Sequence, residues 1–357
     1  MTADYIYPTQ ALSKQDAGII TEEQIKTWTE NGYALVDGLV DVDLALKCRK
    51  EALEAVEGQL EDFGSLDGKL EFPTGFNACD AITLHPNLIR AAATLLKVPE
   101  SDLRLMQSDI WSKTGKVLSS KIEGDNSWTP SGVSNDEIVK GASSNQNQRI
   151  HCDYGNNTLL HPPSWDSPEC VSMIVYLSDE TEVGGGTSLV SHRSNDDPDY
   201  QYPLIAMPGQ AGIPFMNDRE KCEEYMKVHH PDYYKFRAGL YAREKIAKFS
   251  TGTVLLYRHD VWHRGTPLIP SKTRVVCNLA YKRKECEWLT CWNQGFARMM
   301  YFGYVEKVVA NATPLQRAIL GIPMPGHSYW NSVTIAAVTA RFGTYGFDPA
   351  PYYAALQ

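Results

Sequence analysis

Absences narrow this chain first. No Cys-x-x-Cys pair occurs among its eight cysteines (Cys48, Cys79, Cys152, Cys170, Cys222, Cys277, Cys286 and Cys291), which excludes a thiolate zinc knuckle and a disulfide-dense scaffold. The thiols are expected to be reduced and mostly buried, and the closest pair, Cys286 and Cys291, reads as packing rather than as a metal site. No run approaches the roughly 20 apolar residues of a membrane helix. The start, Met1-Thr-Ala-Asp-Tyr-Ile-Tyr-Pro-Thr-Gln10, lacks the basic opening and apolar core of a secretion signal. The end, Ala-Ala-Leu-Gln357, is not a peroxisomal address, so a cytoplasmic protein is expected. Positive charge is scarce: a net charge of -9 without a clustered basic surface argues against nucleic acid or an anionic membrane as the main partner. Internal repeats and low-complexity tracts are absent too, which predicts one domain over residues 1–357 and a small-molecule partner, with a homodimer left open.

What is present falls into three parts. Residues 21–100 form a helix-rich support. There Thr21-Glu-Glu-Gln24 has the form of a capping box and opens a helix stopped at Gly32. A short strand is predicted over 33–36, a helix over 43–63 from apolar side chains at helical spacing, and another from Pro86 to about Leu96 with proline in its first turn. Residues 101–285 read as strands at 103–111, 148–153, 171–177, 253–257 and 274–281, separated by Gly, Pro and Asp turns. Many short β segments of this kind suggest a barrel or jelly roll. Residues 195–249 interrupt the series as a long insertion with helical and Pro-rich pieces, of the sort that forms lids or pocket walls. Residues 286–357 return to helix, at 292–309, 314–320 and 329–342. Their aromatic side chains either pave a substrate pocket or pack against the barrel or a second subunit, and packing is the plainer expectation.

Within the β region lies His151-Cys-Asp153, followed far downstream by His263 and, eleven positions later, by Arg274. On a strand, positions 151 and 153 point to one face and Cys152 to the other, so one strand can deliver two ligands to one metal. Two imidazoles and a carboxylate are the donor set of a mononuclear iron(II) oxygenase, which leaves the opposite side of the metal open. His-x-Asp alone arises often by chance; the combination with His263 carries more. His259 competes with His263, because His259-Asp-Val-Trp-His263 has the spacing of a zinc helix. It lacks the Glu of His-Glu-x-x-His hydrolases and sits between strands, so a zinc helix is rejected. His161, His192, His229 and His230 are given no metal role.

An arginine aimed into a barrel is costly unless a carboxylate meets it. Arg274 therefore predicts either an internal Asp or Glu partner or a dicarboxylate co-substrate that chelates iron at one end and binds the guanidinium through two parallel hydrogen bonds at the other.

With these residues in place, the chain resembles the phytanoyl-CoA dioxygenase family of iron(II)/2-oxoglutarate oxygenases over most of its length, from Asn31-Gly-Tyr-Ala-Leu-Val-Asp-Gly38 to the strand of Arg274. The resemblance implies a mainly β fold with flanking helices and a double-stranded β-helix (jelly roll, cupin-like) core. It implies iron(II) on His151, Asp153 and His263, and 2-oxoglutarate on Arg274, with dioxygen as the oxidant. Gln148 matches a glutamine that family members carry three residues before the first ligand. Thr187, in Gly184-Gly-Gly-Thr-Ser-Leu-Val-Ser-His192, resembles a threonine of the family, although the Pro-Gly of the family's turn is missing. Gln107 and Lys113 resemble polar residues that approach 2-oxoglutarate in relatives. Gly265 stands where a serine is common, with Thr266 beside it. The implied reaction is hydroxylation, or another oxidation, of an unactivated C–H bond in a small metabolite, with release of succinate and carbon dioxide. Asp153 favours hydroxylation, since related halogenases carry Gly or Ala there. An acyl-CoA 2-hydroxylase and a non-catalytic jelly-roll binding protein are the alternatives. Lys282-Arg-Lys284 is the one tight basic cluster near the core that could meet CoA phosphates.

Overall fold

The computed structural model describes residues 4–12, 19–55, 70–115, 147–153, 160, 166–193, 197, 213, 215, 218–286 and 304–356. Expectations for 56–63, for His161 and for 292–303 fall outside these residues. Where local rules are strong, structure follows them. Thr21 accepts from the Gln24 amide at 3.1 Å and its own amide donates to Gln24 Oε1 at 2.8 Å, so the capping box is closed. The helix Glu22–Asn31 then ends at Gly32, left-handed at φ 83. The helix Pro86–Leu96 begins at its proline, and Val42–Ala55 accounts for the described part of the helix expected over 43–63.

Eleven strands follow in chain order: β1 (Asp4–Ile6), β2 (Thr9–Gln10), β3 (Tyr33–Asp37), β4 (Leu70–Glu71), β5 (Leu103–Thr114), β6 (Cys170–Tyr176), β7 (Thr187–Leu189), β8 (Lys245–Ala247), β9 (Val254–Tyr257), β10 (His263–Gly265) and β11 (Thr273–Arg283). They form a seven-stranded sheet in the order β2-β3-β9-β6-β11-β5-β4 and a four-stranded sheet in the order β1-β8-β7-β10. The core is thus mainly β with flanking helices, its two sheets facing each other as in a double-stranded β-helix.

Period-two alternation assigns the two faces of the large sheet. Val275, Cys277, Leu279 and Tyr281 of β11 join Val171, Met173 and Val175 of β6 in a core packed under the helices Val42–Ala55, Asn77–Thr83 and Pro86–Leu96. The alternate residues Trp111, Tyr176, Leu255, Tyr257 and Val276 pack inward with Leu189 of β7 and Ala247 of β8. Register orders the inner face in rows: Lys113 beside Arg274, Trp111–Val276–Tyr176 next, then Asp109–Asn278–Ile174–Leu255, and last Gln107–Ala280–Ser172–Tyr257.

Two elements depart from expectation. Residues 148–153 are extended but form no continuous strand; a single bridge joins His151 to His263, adding the segment to the free edge of β10. The reason lies in its partner. At Gly265 of β10 the backbone carbonyl accepts from the Gln148 amide at 3.1 Å, but the Gly265 amide donates to the Gln148 side chain instead of a backbone carbonyl, and before His263 β10 offers no further residue. In the 195–249 insertion, the described helices Arg219–His229 and Pro231–Tyr241 brace this segment. Arg237, fully buried, donates to the Ile150 carbonyl at 3.0 Å, and the Ile150 amide donates to the Tyr241 hydroxyl at 2.9 Å. Glu223 answers Arg237 at 2.6 Å.

The C-terminal helices Tyr304–Asn311, Pro314–Ile319, Ser332–Phe342 and Ala350–Ala354, with the connection before Ser332, pack Tyr329, Trp330, Phe342 and Tyr352 onto Met106, Cys170 and Ala280 of the large sheet. All four of these aromatic groups are buried there. Among the described residues, no helix is long and apolar enough to cross a membrane.

Candidate metal centre

His151 and His263 exchange both backbone hydrogen bonds, at 2.9 and 2.7 Å. Side chains of such a pair project to one side, and the two rings sit 4.5 Å apart. Asp153 is placed beside them by its own backbone, whose amide donates to the His259 carbonyl at 3.0 Å. The potential ligand atoms of His151, Asp153 and His263 all lie within 4.8 Å of one another, and this is the one such cluster of His, Cys, Asp or Glu among the described residues.

Tautomers follow from partners. His151 Nδ1 lies 3.1 Å from the Arg149 carbonyl and His263 Nδ1 lies 2.9 Å from the Val261 carbonyl. A carbonyl only accepts, so each Nδ1 carries the proton and each Nε2 keeps its lone pair for a metal. Burial holds the His151 imidazole well below its usual range, and His263 adds to this. For Asp153, burial alone would raise the carboxyl, but the imidazoles of His263 and His151 outweigh it and leave it lowered. Two imidazole Nε2 atoms and a carboxylate, Asp153 Oδ1 being 3.6 Å from His263 Nε2, suit a divalent cation of the iron type.

His259 does not join the cluster. Its ring is buried, with neither nitrogen hydrogen-bonded among the described residues, and burial lowers its pKa. The competition between His259 and His263 is thus decided by the turn after β9, which sends only His263 to the ligand side. Cys152 is buried with Ile150, Val190, Cys222 and Trp262, away from the triad.

A second polar group lies between the sheets. Arg274 is buried; its Nη1 donates to the Gly185 carbonyl at 3.0 Å and its Nε has no partner among the described residues. No carboxylate pairs with it among the described residues, and burial pushes its pKa down, with Tyr176 opposing. The Tyr176 hydroxyl donates to Thr187 Oγ1 at 2.7 Å. Lys113 stands opposite Arg274 in register. A Cβ added at Gly265 would lie 3.1 Å from Lys113 Nζ and 2.7 Å from Gln148 Oε1, so both side chains meet over this glycine, two residues past His263. Gln148 Oε1 also accepts from the Gly265 amide at 2.7 Å. A side chain at 265 would occupy the same space.

Arg274, Lys113, Gln148 and Thr187 thus gather beyond the triad, around Gly265. Two residues do not join them. Thr266 spends its hydroxyl on Gly186, accepting at 2.7 Å and donating at 2.9 Å. Gln107 lies six residues before Lys113 on β5, about 20 Å along the strand, and donates to both Asp109 oxygens at 3.1 and 3.3 Å.

Sequence reasoning missed Tyr257, whose hydroxyl donates to Asp153 Oδ2 at 2.9 Å and whose ring stands edge-on to His263 at 5.0 Å. Burial raises its pKa well above the usual range, with Asp153 adding to this. The available signal was its parity with inward Leu255 at the end of a strand that leads to His263.

No protein-family model and no curated protein matches the chain. Solved structures similar to it include the non-heme alpha ketoglutarate dependent carbocyclase SnoK from nogalamycin biosynthesis, at 17% identity, 81% of this chain, 92% of that chain and a TM-score of 0.48. EvdO2 from Micromonospora carbonacea var. aurantiaca follows at 11% identity, 75% and 92% coverage and a TM-score of 0.47. EctD from S. alaskensis with bound Fe stands at 14%, 79%, 83% and 0.45. At such distances, the chemistry of this chain rests on its own side chains.

Proposed function

We propose that the chain is an iron(II)- and 2-oxoglutarate-dependent dioxygenase that oxidises an unactivated C–H bond of a small organic metabolite, hydroxylation being the outcome Asp153 favours. One observation carries the reading: a buried arginine with no carboxylate partner among the described residues, in the same inter-sheet space as a converged two-histidine, one-carboxylate cluster. A buried cation that no carboxylate meets costs several kcal/mol, and a ligand carboxylate removes that cost. Gly265 lies about 7 Å along β10 from His263, so a five-carbon diacid has room to span from the triad to the Arg274 region.

His151, Asp153 and His263 would hold the iron, and Arg274 the distal carboxylate, with Lys113, Gln148 and Thr187 beside it. When bound, iron and the keto acid supply the oxidising chemistry, consuming dioxygen and leaving succinate and carbon dioxide. The chain's own part is to fix the imidazole tautomers, keep Asp153 ionised and exclude water from the inter-sheet space. Membership of the phytanoyl-CoA dioxygenase family belongs to the same proposal, but an acyl-CoA substrate is disfavoured at the expected phosphate contact. Lys282 is buried and donates to the Cys286 carbonyl at 3.1 Å, Arg283 pairs with Glu285 at 2.8 Å and Lys284 with Asp102 at 2.8 Å.

Calorimetric titrations separate the two halves of the site. Arg274→Ala should weaken 2-oxoglutarate binding by about tenfold or more, a loss of some 1.4 kcal/mol, with iron affinity nearly kept. Asp153→Ala should do the reverse. Equal effects of both variants on both ligands would count against the assignment.

A further inference from the structure

We propose that Tyr257 is a positioning residue that locks Asp153 into ligation through a single oxygen, and so keeps one side of the metal open. The inference rests on the iron reading above. A carboxylate can give a metal one oxygen or two. Here the two oxygens of Asp153 have different surroundings: Oδ1 lies 3.6 Å from His263 Nε2, the lone-pair atom of that ring, whereas Oδ2 accepts the Tyr257 hydroxyl at 2.9 Å. The carboxylate therefore presents Oδ1 to the ligand cluster and turns Oδ2 away into a hydrogen bond.

Tyr257 is well built for this task. It ends β9, a strand flanked on both sides by β3 and β6, and lies opposite Ser172 and Tyr33 in register. Its phenol also meets the Ser172 side chain, and its ring edge rests against the His263 imidazole at an interplanar angle of 61°. Rotation of the phenol away from Asp153 is opposed on each of these sides. The Asp153 amide is tied separately to the His259 carbonyl, so the backbone sets where the carboxylate stands and Tyr257 sets how it is turned.

The count of metal positions gives this its consequence. Two imidazoles and one carboxylate oxygen would leave a six-coordinate metal three places, enough for a chelating keto acid and a small molecule such as dioxygen. A second Asp153 oxygen on the metal would take the last of them.

Tyr257→Phe keeps the ring and its packing and removes the donor. In anaerobic protein loaded with iron(II) and 2-oxoglutarate, nitric oxide serves as the probe, followed by the paramagnetic signal of its iron complex. The variant should bind iron and 2-oxoglutarate within about threefold of the parent but need about tenfold more nitric oxide to reach half signal. Ser172→Ala should move the titration in the same direction by less. An unchanged nitric oxide titration in Tyr257→Phe, or loss of iron binding itself, would overturn the proposal. The cobalt(II) form needs no keto acid and separates this from the oxygenase reading. Its visible ligand-field spectrum should differ between parent and Tyr257→Phe even if 2-oxoglutarate fails to bind, and identical spectra would refute the positioning role alone.

Discussion

Arg274 shows how one side chain can be set against folding for the sake of a ligand. Its guanidinium is buried with a single carbonyl contact and no carboxylate among the described residues. Replacing it with Met, which fills similar space without charge, should therefore stabilise the ligand-free protein, by about 1–3 kcal/mol, in chemical denaturation. The same variant should lose the stabilisation that 2-oxoglutarate gives the metal-loaded parent through mass action. A destabilised Arg274→Met protein would mean that the cation has an internal partner after all. The ligands themselves were legible in the sequence, because imidazole and carboxylate chemistry is carried by residue type and His-x-Asp places two donors together. Tyr257 was not, since nothing local distinguishes a hydroxyl that meets a carboxylate from one that packs; that contact depends on a segment 104 positions away.

At the scale of elements, short connections decide where those residues point. Gly185, at φ +58, brings its backbone against the chain after β10: a Cβ there would lie 2.4 Å from the Pro267 carbonyl and 2.7 Å from that of Thr266. Gly185→Ala should cost more than about 1 kcal/mol and also weaken 2-oxoglutarate binding, because the Gly185 carbonyl is the acceptor for Arg274. A thermal melt paired with a ligand titration checks both effects. Helices with caps were readable from sequence, as at Thr21 and Pro86, since their signals lie within a few residues. The strand expected at 148–153 was over-read. Strand pairing is cut short on both sides of the His151–His263 bridge: the Gln148 side chain takes the Gly265 amide, and β10 begins at His263.

Across the whole molecule, the helical pair Arg219–His229 and Pro231–Tyr241 couples stability to the metal centre. Glu223 is the carboxylate that answers fully buried Arg237, which in turn holds the Ile150 carbonyl next to His151. Glu223→Ala leaves that charge uncompensated and should destabilise the protein by about 3–5 kcal/mol, with metal affinity falling alongside. Retention of full metal affinity in the folded variant would uncouple the brace from the site. The β core with flanking helices was legible in the many short strand-like segments. The bracing role of the insertion was not, because sequence shows that a segment is long and helical but not which strand edge it covers.

The most direct test of the iron and 2-oxoglutarate reading is an anaerobic absorption spectrum of the folded protein with both ligands added. A weak visible charge-transfer band near the green is predicted, absent from the Asp153→Ala variant; a folded parent protein that binds iron(II) yet shows no such band on addition of 2-oxoglutarate would contradict the account.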